Sequence, residues 1–135
     1  MSHVVLTTRT DGKGLYEITD GVRQAVRDGG VVTGLCTIFI QHTSASLTIQ
    51  ENADPSARRD LEAFLARLVP EGDPLYTHTA EGPDDMPAHV RAALTSTTLS
   101  VPVIGRELAL GTWQGIFVWE HRAMPHARKV VVYIG

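Results

Sequence analysis

The apolar run over residues 31–40 constrains the fold more than any other part of the sequence. Eight of its ten residues are apolar or glycine, and the β-branched and aromatic types dominate. A nearly continuous run of this length, bounded by glycines and by polar residues, is typical of a central strand that is covered on both faces. The chain should therefore build a sheet around residues 31–40, with other elements packed on each side of it.

Weaker patterns on either side of this run predict the other elements. Further strands are predicted over residues 4–8, 15–18, 46–51, 98–104, 113–121 and 127–134. Helices are predicted over residues 20–28, 55–69 and 86–94, and Asp54-Pro55 is a strong helix start. The strands at 31–40 and 46–51 are separated by a few small residues, which predicts a hairpin. Strands and helices do not alternate as in βαβ units, so we expect one α+β domain, residues 1–135, with a mainly antiparallel sheet.

Composition excludes several classes of function. The formal net charge is −3 and the pI is near 6.0, with Lys and Arg scattered along the chain, so no nucleic-acid partner is expected. No stretch has the length of a membrane span, and the N-terminus lacks a signal pattern. The single Cys36 excludes an intramolecular disulfide and is interpreted as a buried apolar residue rather than a catalytic thiol. These features predict a cytoplasmic protein without a membrane partner.

The polar stretch that follows the central run carries more functional groups than a turn needs. It contains His42, two serines, Glu51 and Asn52 between a strand and a helix start. We therefore predict that it forms the floor of an active site. Ser44 and Ser46 are not in a GxSxG or SxxK motif, so they are interpreted as anion-binding or structural hydroxyls rather than nucleophiles.

Three histidines come from separate predicted elements. His42 lies at a strand end, His78 in the long connection over residues 70–86, and His89 in a short helix. Three neutral imidazoles would suit zinc and leave a fourth position for water or substrate. Each histidine could equally be a hydrogen-bonded polar residue or a surface residue, because no local ligand motif joins them.

Two further groups of polar residues have more than one interpretation. The adjacent Asp84 and Asp85 could hold Mg²⁺ with a diphosphate, because Mg²⁺ prefers oxygen ligands, or one of them could cap the following helix. Gln114, Glu120 and Arg122 lie on or beside the penultimate strand. Glu120 could be a base, a metal partner or a surface charge at the strand end.

Several motifs make the sequence similar to one known family. The matching stretches span nearly the whole chain and lie at residues 42–48, 51–55, 81–89, 110–116 and 119–122. They resemble the YjbQ family. The resemblance implies an α+β fold with a β-sandwich-like core, a homotrimer, and a divalent metal, predicted to be zinc, bound by His42, His78 and His89.

The resemblance also implies an activity on phosphorylated small molecules. Family members are associated with a secondary thiamine-phosphate synthase reaction, which joins a hydroxymethylpyrimidine diphosphate to a thiazole phosphate and releases diphosphate. Asp84 and Asp85 would then hold Mg²⁺ with the diphosphate, or the histidine-bound metal would do so, and Arg122 would contact phosphate oxygens. The ring would be oriented, or a proton moved, by Glu51, Asn52, Gln114 and Glu120. The alternatives are a trimer that binds a small anion without catalysis and a metal-dependent hydrolase.

Overall fold

The computed structural model describes residues 1–135 as eight strands and three helices. The strands are β1 (Ser2–Asp11), β2 (Gly14–Glu17), β3 (Thr33–Ile40), β4 (Ala45–Glu51), β5 (Thr98–Ile104), β6 (Glu107–Leu108), β7 (Gln114–Glu120) and β8 (Pro125–Ile134). The helices are α1 (Thr19–Gly29), α2 (Pro55–Leu68) and α3 (Asp85–Leu94). None of these helices combines the length and the apolar character that a membrane crossing requires.

The strands form two antiparallel sheets. The larger sheet has the order β1-β8-β3-β5-β6 and the smaller sheet the order β2-β7-β4. This arrangement confirms the α+β class and the mainly antiparallel pairing. The predicted hairpin between β3 and β4 is wrong, because β5 and β8 occupy both edges of β3 while β4 pairs with β7 in the other sheet. The short polar connection lets the chain cross from one sheet to the other.

The main core lies between the two sheets and under α1. The buried face of β3 contributes Cys36, Ile38 and Ile40, as the alternation of side chains along a strand requires. The larger cluster that contains them also takes residues from α1, β4, β5, β7 and β8, among them Val22, Val26, Leu47, Val103, Val118 and Val132. Both sheets and α1 are therefore held by one continuous apolar interior.

The other face of β3 is not covered. Leu35 is 43% exposed and Phe39 is 46% exposed, and Tyr133 beside them on β8 is 41% exposed. The expectation of cover on both faces is therefore not met within one chain. The composition of the run shows that two apolar faces exist, but it does not show what packs against each face.

Helices α2 and α3 are attached to the smaller sheet. Asp54 accepts the N–H of Ser56 at 2.9 Å and begins α2, as its position before Pro55 predicts. Leu65 and Val69 pack with Trp119 of β7 in a second apolar cluster. The guanidinium of Arg91 on α3 donates to the carbonyl of Val69 at 2.9 Å, which ties α3 to the end of α2. This contact fixes the last turn of α3 against the end of α2.

Candidate functional site

Three side chains of metal-ligand type meet at the start of α3. His78 Nε2 lies 2.9 Å from Asp85 Oδ2, and His89 Nε2 lies 3.2 Å from the same oxygen. One ligand atom from each residue lies within 4.8 Å of the others. Asp85 and His89 are four residues apart on α3, a spacing that places both side chains on one face of a helix. The connection before α3 supplies His78.

The carboxylate of Asp85 is held in place by Arg122. The side chain of Asp85 is buried, and its Oδ1 accepts a hydrogen bond from Arg122 Nη1 at 2.7 Å. Arg122 Nε also donates to Asp84 Oδ2 at 3.0 Å, and its Nη2 donates to the carbonyl of Glu81 at 3.0 Å. One guanidinium thus ties the loop before α3 to the turn after β7 and leaves Asp85 Oδ2 directed at the two histidines.

Asp84 occupies the N-cap position of α3, but its side chain makes no capping hydrogen bond. Its Oδ2 accepts the N–H of Ala123 at 2.9 Å in addition to the Arg122 guanidinium. Burial alone would raise the pKa of Asp84, but the Ala123 N–H and the Arg122 guanidinium outweigh it and hold the pKa below its ordinary value. Asp84 is therefore ionised and serves to fix Arg122.

The ring of His89 has a defined tautomer. Its Nδ1 lies 3.0 Å from the carbonyl oxygen of Thr43, and a carbonyl only accepts, so Nδ1 carries the proton. In a neutral ring the Nε2 lone pair then faces the carboxylate of Asp85. Two lone pairs at 3.2 Å repel each other unless a proton or a metal cation lies between them. A backbone carbonyl that holds the other nitrogen is a usual feature of metal-binding histidines.

Glu120 is the centre of a buried ion pair. It has no exposed surface, and it accepts hydrogen bonds from Arg128 Nε at 2.7 Å, from Thr10 at 2.6 Å and from the Arg122 N–H at 3.1 Å. Burial would raise the pKa of Glu120, but the hydrogen bonds from Arg128 and Thr10 outweigh it, so the pKa lies below its ordinary value. Among the roles considered for Glu120, a surface charge is therefore wrong.

His42 is joined to this ion pair and not to the group at Asp85. Arg128 Nη1 lies 3.2 Å from His42 Nδ1, and the Lys129 N–H donates to His42 Nε2 at 2.8 Å. Burial, and after it the nearby positive charge of Arg128, lower the pKa of His42. His42 and His89 nevertheless line one cavity of about 280 Å³, so the two rings are neighbours.

The remaining predicted site residues lie at the other end of the smaller sheet. Glu51 pairs with Gln114 in the β4–β7 register, six residues away from the pair formed by Ala45 and Glu120. At about 3.3 Å per residue, this separation is roughly 20 Å. Asn52 donates to Glu17 at 3.0 Å, also at this end. A single chain therefore does not bring Glu51, Asn52 or Gln114 to the group at Asp85.

Two buried polar side chains were not anticipated from the sequence. Arg128 donates to Ser44 Oγ at 3.0 Å as well as to Glu120, and His121 Nε2 lies 2.9 Å from Ser46 Oγ. Burial and the charge of Arg91 lower the pKa of His121 to about 3, so this ring is neutral. The available signal for Arg128 was its place on the buried face of the last strand, where period two aligns it with Val130 and Val132.

Two antiparallel sheets packed together, with His78, Asp85 and His89 close together at the start of a short helix, define the class as a small α+β protein with side chains that could hold a metal ion. The family model described as "UPF0047 protein YjbQ-like" matches residues 3–135. The chain belongs to this family, which confirms the resemblance found in its motifs.

Relatives and solved structures agree with this membership. A UPF0047 protein of Synechocystis is 52% identical over 130 residues, covering 96% of this chain and 88% of the relative. The UPF0047 protein YjbQ of Escherichia coli O157:H7 is 40% identical, with 93% and 91% covered. The crystal structure of an uncharacterised YjbQ/UPF0047 family protein from Clostridium acetobutylicum matches with a TM-score of 0.90 at 36% identity, covering 98% of this chain and 99% of that one. The sandwich-like α+β fold is thus shared by the family.

Proposed function

We propose that this chain is a metal-dependent enzyme that acts on phosphorylated small molecules, with the metal held by His78, Asp85 and His89. The observation that carries the proposal is the tautomer of His89. Its Nδ1–H is committed to the Thr43 carbonyl, so in a neutral ring the Nε2 lone pair faces the Asp85 carboxylate at 3.2 Å. A cation between these atoms would remove the repulsion.

Two imidazoles and one carboxylate favour zinc over magnesium. Zinc accepts nitrogen and carboxylate ligands in such sets and keeps a position open for substrate, whereas Mg²⁺ prefers oxygen ligands throughout. A bound zinc would supply a Lewis acid that offsets the negative charge of a phosphate or diphosphate leaving group. Mg²⁺ would then enter only with the diphosphate, and not through Asp84, whose carboxylate is bound to Arg122.

The contacts of Arg122 and Glu120 support positioning roles for these residues. Three of the five N–H donors of Arg122 are engaged by Asp84, Asp85 and the Glu81 carbonyl, and its charge is already paired with two carboxylates, which supports a positioning role over phosphate binding. Glu120 is buried against Arg128 and has no surface from which to move a proton to a substrate. The charge of the ligand would therefore be met by the metal.

The specific reaction that we propose is the thiamine-phosphate synthase-like transfer that the family resemblance implies. It would join a hydroxymethylpyrimidine diphosphate to a thiazole phosphate and release diphosphate. The alternatives are a metal-dependent hydrolase and a protein that binds a small anion without catalysis. Rescue of a thiamine-auxotrophic strain by the parent chain, and loss of that rescue with His89→Ala, would favour the transfer. Equal rescue by both chains would contradict the assigned site.

Metal content tests the core of the proposal. The purified parent should retain about one zinc per chain by elemental analysis after dialysis, and His78→Ala, Asp85→Ala and His89→Ala should each lose it. His3→Ala is the matched control, because His3 lies on the exposed face of β1. The metal centre would be excluded if the parent bound no divalent metal even after addition of zinc, or if all three variants bound it as tightly as the parent.

We also propose that the chain assembles as a homotrimer, the number that the resemblance implies. The uncovered apolar face of the larger sheet supports an assembly, because Leu35, Phe39 and Tyr133 expose apolar surface side by side. Sedimentation equilibrium should give a mass three times that of the chain. Phe39→Glu, on this face, should lower the mass toward that of one chain. A mass of one chain for the parent itself would contradict the assembly.

A further inference from the structure

A pocket of about 340 Å³ opens beside His78 and shares no lining residue with the cavity that His42 and His89 line. We call it the His78 pocket. Its wall residues come from the connection before α3 and from the first turn of α3; they include Asp73, Tyr76, His78, Pro83, Met86 and Pro87. Its volume is at the lower end of the range for small-molecule sites, which corresponds to a ligand of about one ring.

The His78 pocket has no cationic side chain. No lysine or arginine is among its lining residues. Asp73 contributes a carboxylate that takes part in no ion pair, since Oδ1 accepts only the Leu75 N–H at 2.9 Å. The guanidinium of Arg122, which holds Asp85 beside His78, is already bound to Asp84 and Asp85. Apart from the metal that His78 would hold, the lining residues therefore disfavour a phosphate or carboxylate group and favour a neutral or cationic group.

The walls suit a flat ring. Tyr76, Met86, Pro83 and Pro87, whose side chains are largely apolar, line the pocket together with Asp73. Aromatic faces bind planar rings and cations through their π-electrons, and methionine sulfur makes favourable contacts with aromatic rings. Because His78 belongs both to this pocket and to the metal group, a ring in the pocket would lie beside the metal.

We infer that the His78 pocket binds the part of the substrate that carries no phosphate, and that this part is a single planar ring, uncharged or cationic. The inference rests on the proposed function for its location beside the metal. The metal group and the neighbouring His78 pocket would then bind different parts of the substrate. The metal meets the phosphate charge, and Asp73 with Tyr76 selects the ring by its shape and charge.

Three probes of one size and different charge test the charge selection. Benzamidine is cationic, benzamide is neutral and benzoate is anionic at pH 7.5. The full chain would be labelled with ¹³C in the methionine methyl groups. Met86 lines the pocket, while Met1 and Met124 are exposed elsewhere and serve as internal controls. The titrations are carried out on the chelator-treated chain, so that benzoate has no metal to bind.

Two variants separate the parts of the pocket. Asp73→Asn removes the charge and keeps the oxygen that accepts the Leu75 N–H, so the loop turn is preserved. Tyr76→Ala removes the aromatic wall from a side chain that makes no hydrogen bond to Asp73. Circular dichroism confirms that each variant is folded before titration.

Benzamidine and benzamide should shift the Met86 signal and leave Met1 and Met124 unchanged. Benzamidine should bind tighter than benzoate by about fivefold, the factor expected for one exposed charge pair. Asp73→Asn should abolish that difference, and Tyr76→Ala should weaken all three probes. The inference is overturned if no probe shifts Met86, if benzoate binds as tightly as benzamidine, or if Asp73→Asn leaves their ratio unchanged. If the chain binds zinc but fails these titrations, only the inference about the pocket is overturned. If it passes these titrations but binds no zinc, only the metal proposal is overturned.

Discussion

Replacing Arg128 with methionine should destabilise the chain by about 3–5 kcal/mol, the usual cost of leaving one partner of a buried ion pair uncompensated. Arg128 and Glu120 expose 4% and 0% of their side chains. In the variant, Glu120 keeps its hydrogen bonds from Thr10 and from the Arg122 N–H but loses the guanidinium. Ser44 loses a donor as well, at 3.0 Å. Methionine fills much of the arginine volume, so the loss of unfolding free energy would come from the unpaired charge and not from a cavity.

Urea unfolding at one fixed protein concentration measures this loss. With a slope of about 2 kcal/mol per M, 4 kcal/mol lowers the midpoint by about 2 M. The Glu120→Gln/Arg128→Met double variant has no unpaired charge and should recover at least half of the loss, since neutral replacements of buried ion pairs are often tolerated. The reasoning is refuted if Arg128→Met costs less than about 1 kcal/mol, or if the double variant is no more stable than Arg128→Met.

The pH dependence of the unfolding free energy tests the same ion pair independently. The pKa of Glu120 lies below its ordinary value of 4.5 in the folded chain. A lowered pKa contributes stability that is present above pH 4.5 and is lost as the pH falls through the folded-state pKa. The parent should therefore lose stability more steeply below pH 4.5 than the double variant does. Equal acid slopes for the two chains would contradict a lowered pKa for Glu120.

Three further outcomes follow from the polar contacts of other residues. Arg122→Met should weaken zinc binding by about 10- to 100-fold in calorimetry, because the carboxylate ligand loses its orienting partner, while the exposed Arg9→Met should not. The pKa of His121 is lowered to about 3, so this ring stays neutral in the folded chain while it gains a proton in the unfolded chain. As the pH falls from about 6.5 to about 5, the parent should therefore lose up to about 1.4 kcal/mol of unfolding free energy per pH unit. The Ser46→Ala/His121→Leu variant should lose less per pH unit in urea unfolding. Burial raises the pKa of Cys36 to about 11, so a thiol-specific disulfide reagent should modify it only as fast as the chain unfolds.

The local elements could be predicted because their signals lie within a few residues of sequence. Asp54 before Pro55 marked the start of α2, and Gly30 ends α1 with a φ of 69° that glycine adopts without strain. Strand pairing, in contrast, joins segments that are far apart in the sequence. β3 and β4 are neighbours in sequence, but each one pairs with strands that lie more than fifty residues further along the chain. Alternation along a strand cannot identify those partners.

The candidate site could be predicted only in part, because some of its contacts join residues that are far apart in the sequence. His78 and His89 lie together in the structure, but the third member of their group in one chain is Asp85, for which the sequence predicts either a magnesium ligand or a helix cap. The spacing of Asp85 and His89 on a predicted helix was available and places them on one face. What the sequence could not supply was the position of Arg122, which directs Asp85 toward the histidines.

His42 is the residue on which the sequence and the structure make different predictions. The resemblance makes it a ligand, whereas its ring faces Arg128 and the Lys129 N–H, and it is not a member of the group formed by His78, Asp85 and His89. A ligand and a positioning residue respond differently to removal. If His42 is a ligand, His42→Ala should lower the zinc content at saturation, as His89→Ala does. If it positions Arg128, the saturated zinc content should stay near one per chain while the affinity falls. Elemental analysis at saturating zinc, together with calorimetry, therefore decides between the two roles.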